Sequence, residues 1–78
     1  MKEVTFKYKQ QNLIAYIADH KSNYEVGIAN LNGELTPDGC YEQIAEFLVT
    51  RDDEIKVDLF SDLSTEELEE IWAKIRPK

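Results

Sequence analysis

The chain has 78 residues, 42% of them hydrophobic, and a formal net charge of −7 at pH 7. That length builds one domain around one core and leaves no room for a second. The negative charge repels phosphate backbones and anionic lipid surfaces, which excludes direct nucleic-acid binding and membrane association from the expected functions.

One cysteine (Cys40) and one histidine (His20) can make neither an internal disulfide nor a zinc site, so the expectation is a reducing cytoplasmic setting with no metal and no cofactor. No run of residues approaches the roughly 18 apolar positions of a membrane span, and the first residues interleave charge with apolar side chains unlike a signal peptide.

Residues 3–9 alternate, Val4, Phe6 and Tyr8 on one face and Thr5, Lys7 and Lys9 on the other, as a half-buried strand does. Residues 13–19 are a continuous apolar run that fits either a two-sided strand or a short helix. Its shortness and the turn residues on both sides favour a strand. Residues 24–31 alternate again, with Tyr24, Val26 and Ile28 together. Asn32 and Gly33 then supply the pair that a type I′ hairpin turn prefers, leading to a short return strand over Glu34, Leu35 and Thr36 that Pro37 must end.

Thr36, Pro37, Asp38 and Gly39 read as the start of a helix, with Thr36 or Asp38 as N-cap. Tyr41, Ile44, Ala45 and Leu48 follow at i, i+3, i+4, i+7 spacing and predict an amphipathic helix over about residues 38–50, its buried stripe also taking in Phe47 or Val49. Residues 51–54 form a solvated connector, and residues 54–60 a strand with Ile55, Val57 and Leu59 to one side. The last element is a helix opened by a capping box, Ser64 with Glu67, and by a Leu63 to Leu68 staple. Leu68, Ile71, Trp72 and Ile75 make its stripe, Lys74, Arg76 and Lys78 complement its dipole, and Pro77 ends it. The predicted architecture is a single α+β domain, residues 1–78: an antiparallel sheet, made of an N-terminal three-stranded meander plus short strands, packed against two α-helices.

The charge is unevenly spread. Residues 34–70 hold thirteen carboxylates against two bases, Arg51 and Lys56, whereas residues 1–33 hold four lysines against three acids. Some of this acidity has a local reason: Glu66 and Glu67 sit in a first helical turn, and Glu70 can pair with Lys74. Asp38, Glu42 and Glu46 have none, because on the predicted helix they stack at successive i, i+4 positions, each like-charge pair costing roughly 0.2–0.5 kcal/mol. A basic partner would relieve that repulsion. Together with Asp52, Asp53 and Glu54 they form the candidate partner-binding set.

In size and charge alone, the chain resembles small acidic phage-encoded inhibitors of host defence, DNA-mimicking anti-restriction and anti-CRISPR proteins among them. The resemblance carries no motif and assigns no residue. It implies a non-enzymatic protein whose acidic face blocks a basic nucleic-acid-binding surface of a bacterial defence complex, competing by charge. Two alternatives are an immunity protein or antitoxin that neutralises a cognate toxin, and a structural or assembly subunit that pairs through a sheet edge. The remaining chemically capable residues have plainer readings. Trp72 belongs to the core, and Tyr8, Tyr16, Tyr24 and Tyr41 belong to the core or sheet surface. His20 is an exposed turn residue, and Cys40 a buried or half-buried inert thiol.

Overall fold

The computed structural model describes residues 1–33 and 35–77, with the backbone alone described at residues 57–59. Five strands, β1 (Lys2–Tyr8), β2 (Gln11–Asp19), β3 (Asn23–Asn30), β4 (Gln43–Thr50) and β5 (Ile55–Ser61), are followed by one helix, α1 (Thr65–Ile75). Each strand pairs antiparallel with the next, in the spatial order β1-β2-β3-β4-β5. The three N-terminal strands and the capped C-terminal helix are where the sequence pattern places them. The predicted second helix is not there, and the fold is mostly antiparallel sheet with a single short helix among the described residues.

The segment predicted as helix over residues 38–50 is instead a turn followed by β4. Two periodicities compete in it. Tyr41, Ile44, Ala45 and Leu48 satisfy a helical stripe, but a helix would leave Phe47 or Val49 outside that stripe. Alternation sorts them cleanly: Ala45, Phe47 and Val49 are at most 2% exposed, while Glu46, Leu48 and Thr50 turn to the other side. Pairing with β3 favours the strand further, because it gives N–H and C=O groups of both strands ladder partners while the alternate side chains enter the core. Val26 pairs with Phe47 and Ile28 with Ala45, and a shift in register at Ile28/Ala29 brings Ile44 onto the core as well.

The residues read as a helix start close a small hairpin. Gly39 N–H donates to Thr36 C=O (2.8 Å), Thr36 N–H donates to Cys40 C=O (2.6 Å), and Cys40 N–H donates to the Thr36 hydroxyl (3.2 Å). Pro37 occupies the second turn position, Gly39 takes φ +82°, and Leu35 bridges Tyr41 across the turn. The β4–β5 turn repeats this device. Asp53 N–H donates to Thr50 C=O (3.0 Å), Thr50 N–H to Glu54 C=O (2.9 Å) and Glu54 N–H to the Thr50 hydroxyl (3.1 Å), with Asp53 at φ +64° where the first turn has glycine. Cys40 is exposed, not buried or half-buried as expected, because it lies on this turn and not on a helix.

The type I′ signal also falls elsewhere than expected. Neither Asn32 nor Gly33 has a positive φ; their turn is organised by Asn30, whose side chain accepts from Asn32 N–H (2.9 Å) and whose carbonyl accepts from Gly33 N–H (3.1 Å). Glu34 of the predicted return strand, the facing of Val57 and Leu59, and Lys78 lie outside the described residues. The two-residue loop with positive φ at both positions is Lys9 (48°) and Gln10 (67°), between the paired ends Tyr8 and Gln11.

One face of the sheet carries Leu13, Ala15, Ile17, Val26, Ile28, Ala45, Phe47 and Val49, all at most 3% exposed, and α1 seals it with Leu68, Ile71, Trp72 and Ile75. Each large apolar side chain so withdrawn from water contributes about 1.5–3 kcal/mol. Ser64 accepts from Glu67 N–H and the Glu67 carboxylate accepts from Ser64 N–H, completing the capping box. Trp72 meets the Tyr24 ring at 5.3 Å between centroids. The other face is closed less fully. Ile14 and Ala29, paired across β2 and β3, are buried there apart from the helix-side core. Among the described residues, no helix is long and apolar enough to cross a membrane.

The Lys9–Gln10 loop holds two side chains in a backbone region that costs a non-glycine residue about 1–2 kcal/mol. Gln10→Gly removes one such cost and adds unfolded-state entropy of about 0.5–1 kcal/mol. The expected outcome is a net gain of about 0.5 kcal/mol and a midpoint a few degrees higher in thermal unfolding.

Candidate functional site

The six predicted site residues do not form one surface. Asp38 lies in the Thr36–Cys40 turn and Glu42 just before β4, both exposed, while Glu46 is half-buried in the middle of β4. The like-charged row drawn on a helix therefore does not exist. Glu46 sits opposite Gly27 on the face away from α1, in a shallow depression of about 100 Å³ that Tyr16, Glu25 and Gln43 also line. Burial and the nearby Glu3 push the Tyr16 hydroxyl above its ordinary 10.0. Asp52, Asp53 and Glu54 occupy the far end of β4. An eight-residue strand separates them from Glu42, roughly 23 Å at about 3.3 Å per step and beyond two Debye lengths at physiological salt.

The structure also separates carboxylates with internal partners from those without. Asp19 takes the Arg51 guanidinium, which bonds the His20 and Lys21 carbonyls as well and stacks 4.5 Å from the Tyr24 ring centroid. One of the two bases of the acidic half is thus folded back onto the β2–β3 turn. Glu70 accepts from the Tyr8 hydroxyl at 2.7 Å, which raises that hydroxyl above its usual 10.0. The Ser64 backbone N–H and Lys9 Nζ, at 3.0 Å, hold Glu67 below the ordinary 4.5. Asp53 accepts from Trp72 Nε1 and from Arg76 Nη1, each at 2.9 Å. These four acids are spent on the fold.

Asp53 also borders a recess at this end of the sheet. Between the β4–β5 turn and the C-terminal half of α1 runs a groove of about 360 Å³ lined by Asp53, Glu54, Ile55, Glu69, Trp72, Ala73 and Arg76. Its position follows from the helix direction. The first turns of α1 are tied to the β1–β2 end by Glu67 and Glu70, its last turns to the β4–β5 turn by Trp72 and Arg76, so the helix crosses the sheet diagonally and ends beside the acidic turn. Glu54 on the turn and Glu69 on the helix are exposed in this lining, together with Ile55, Ala73, Trp72 and the Arg76 side chain that pairs with Asp53. Glu66 lies one turn back from Glu69 on the same stripe, and Asp52 adjoins the rim; neither makes an ion pair among the described residues. Two exposed carboxylates beside apolar side chains offer a Lys or Arg side chain the two environments that its charged head and aliphatic stem need.

Half of the predicted set, Asp52, Asp53 and Glu54, thus meets at one place, and Glu69 joins them. No sequence signal singles out Glu69, because its facing depends on where the helix lands. Comparison of the chain with protein families, with characterised proteins and with solved structures found no match.

Two expectations separate the structural acids from the groove. Asp53→Asn keeps an acceptor for Trp72 and tolerates positive φ, and loses only an exposed ion pair worth at most about 1 kcal/mol. Asp53→Ala strands the indole N–H and strains the turn, and should cost about 2 kcal/mol in chemical denaturation. A depressed Glu67 contributes stability that is fully present above about pH 4.5 and disappears as pH falls through its folded value. Glu67→Gln should therefore lose most against the parent above pH 4.5, with the two converging in acid.

Proposed function

We propose that this chain is a non-enzymatic binding protein that inserts a basic side chain of a protein partner into its acidic groove. Glu54 and Glu69 take the charged head, and Ile55, Ala73 and Trp72 take the stem. The observation that carries this reading is the placement of two exposed carboxylates, one on the β4–β5 turn and one on α1, around one recess that Ile55, Ala73 and Trp72 also line, with its Arg76 guanidinium paired to Asp53 and with Asp52 and Glu66 nearby. Basic surfaces of this kind are those that otherwise hold nucleic acid. The concrete form proposed is an inhibitor, of phage or mobile-element origin, that occupies a nucleic-acid-binding surface of a bacterial defence complex. A rigid site lowers the entropy lost on docking, and the surrounding charge speeds encounter in a salt-dependent way.

The test is plating of a sensitive phage on hosts that each carry one defined restriction or RNA-guided system, with and without the chain expressed. At least tenfold relief of one system is expected, roughly a 1.4 kcal/mol effect if binding limits it. Glu54→Lys with Glu69→Lys should abolish the relief while circular dichroism stays unchanged, and Glu42→Lys with Glu46→Lys should leave it intact. No relief in any host, or relief that survives the groove reversal, would reject the reading.

A further inference from the structure

β1 is an outer strand of the sheet, and its free edge is self-complementary. The Asn12 carbonyl accepts from Leu31 N–H (2.9 Å), so Asn12 bonds toward β3 and its neighbours Gln11 and Leu13 bond toward β1. Their partners Tyr8 and Phe6 face inward, and by alternation the backbone groups of Glu3, Thr5 and Lys7 point out from the edge. Two copies of β1 laid antiparallel about a twofold axis at Thr5 place Glu3 opposite Lys7 twice, Thr5 opposite Thr5, and Val4 opposite Phe6 twice. The residues that meet as hydrogen-bonded pairs in that register are the three whose N–H and C=O groups point outward.

Each of these pairings is of a favourable cross-strand type: opposite charges, Thr with Thr, and aromatic with β-branched. Val4 and Phe6 are half-buried at the margin of the core, so pairing would complete their burial. Charge directs two copies to this edge. Residues 1–33 carry four lysines and three acids, so the strand that meets its copy is close to neutral, and the acids of α1 tied to its end, Glu67 and Glu70, are paired with Lys9 and Tyr8. The opposite edge, β5, has a register shift in its ladder with β4, which interrupts regular pairing.

We infer that the protein associates with a second copy of itself through β1, in antiparallel register centred on Thr5, to form a continuous ten-stranded sheet. The pairing is isologous and closes at two subunits. It leaves the acidic groove at the far edge of each subunit, and it stands independently of what that groove binds.

Light scattering over a concentration series tests it. The parent chain should rise from 9.1 kDa toward twice that mass. Glu3→Lys alone and Lys7→Glu alone should each raise the half-association concentration by roughly tenfold or more, since each places like charges opposite twice. The double variant Glu3→Lys, Lys7→Glu restores both pairs and should dimerise like the parent, as should a 1:1 mixture of the two single variants. In a Cys40→Ser background, Thr5→Cys should oxidise to a covalent dimer, because a hydrogen-bonded antiparallel pair spans about 5.5 Å between Cα atoms. A parent chain that stays at 9.1 kDa at concentrations on the order of 1 mM overturns the inference. So does a dimer indifferent to both single reversals, or one that neither the swap nor the mixture restores.

Discussion

An eleven-residue helix seals the apolar face of a five-stranded sheet, and the arrangement of the whole molecule depends on how that helix is held. Hydrophobic burial is non-directional and would accept several crossing angles over the same core. The direction comes from polar ties at the two ends, Tyr8 with Glu70 and Lys9 with Glu67 at the first turns, and Trp72 and Arg76 with Asp53 at the last. They link opposite corners of the sheet and set the diagonal. The same ties consume three carboxylates and leave Glu69 of α1 beside the β4–β5 turn.

A single helix can cover one face of a sheet, and the opposite face must be made tolerable by other means. Small residues do part of this, with Ala18, Gly27 and Ala29 lying among Ile14 and Tyr16. A Cβ on Gly27 would come within 3.3 Å of the Gln43 side-chain amide, so the glycine leaves space for a polar group to cover the backbone. Charge asymmetry adds a second division across the molecule. The near-neutral first half forms one edge and the acidic second half the other, which permits contacts of opposite character at the two ends of one sheet.

Much of this was readable from residue order, and the failures are instructive. The alternation of Val4, Phe6 and Tyr8 and of Tyr24, Val26 and Ile28, and the Ser64–Glu67 capping box, correspond to what the chain adopts. Residues 38–50 do not, because helical and alternating patterns overlap there and the turn residues Thr36 to Gly39 serve a hairpin as well as a helix start. With that helix removed, Asp38, Glu42 and Glu46 lose their common face, and Asp52, Asp53 and Glu54 gain Glu69 in their place.

The distinction is one of range. Strand alternation, helix capping and the sign of charge in each half are set by side chains within a few positions of one another, so the order of amino acids was enough to establish them. Residues 43–50 extend because, paired with β3, they place Ala45, Phe47 and Val49 together in the core. Which carboxylates share a groove was settled by ties joining Asp53 to a tryptophan nineteen positions away. Those outcomes arise from contacts between segments distant along the chain, which exist only once the sheet and helix have packed.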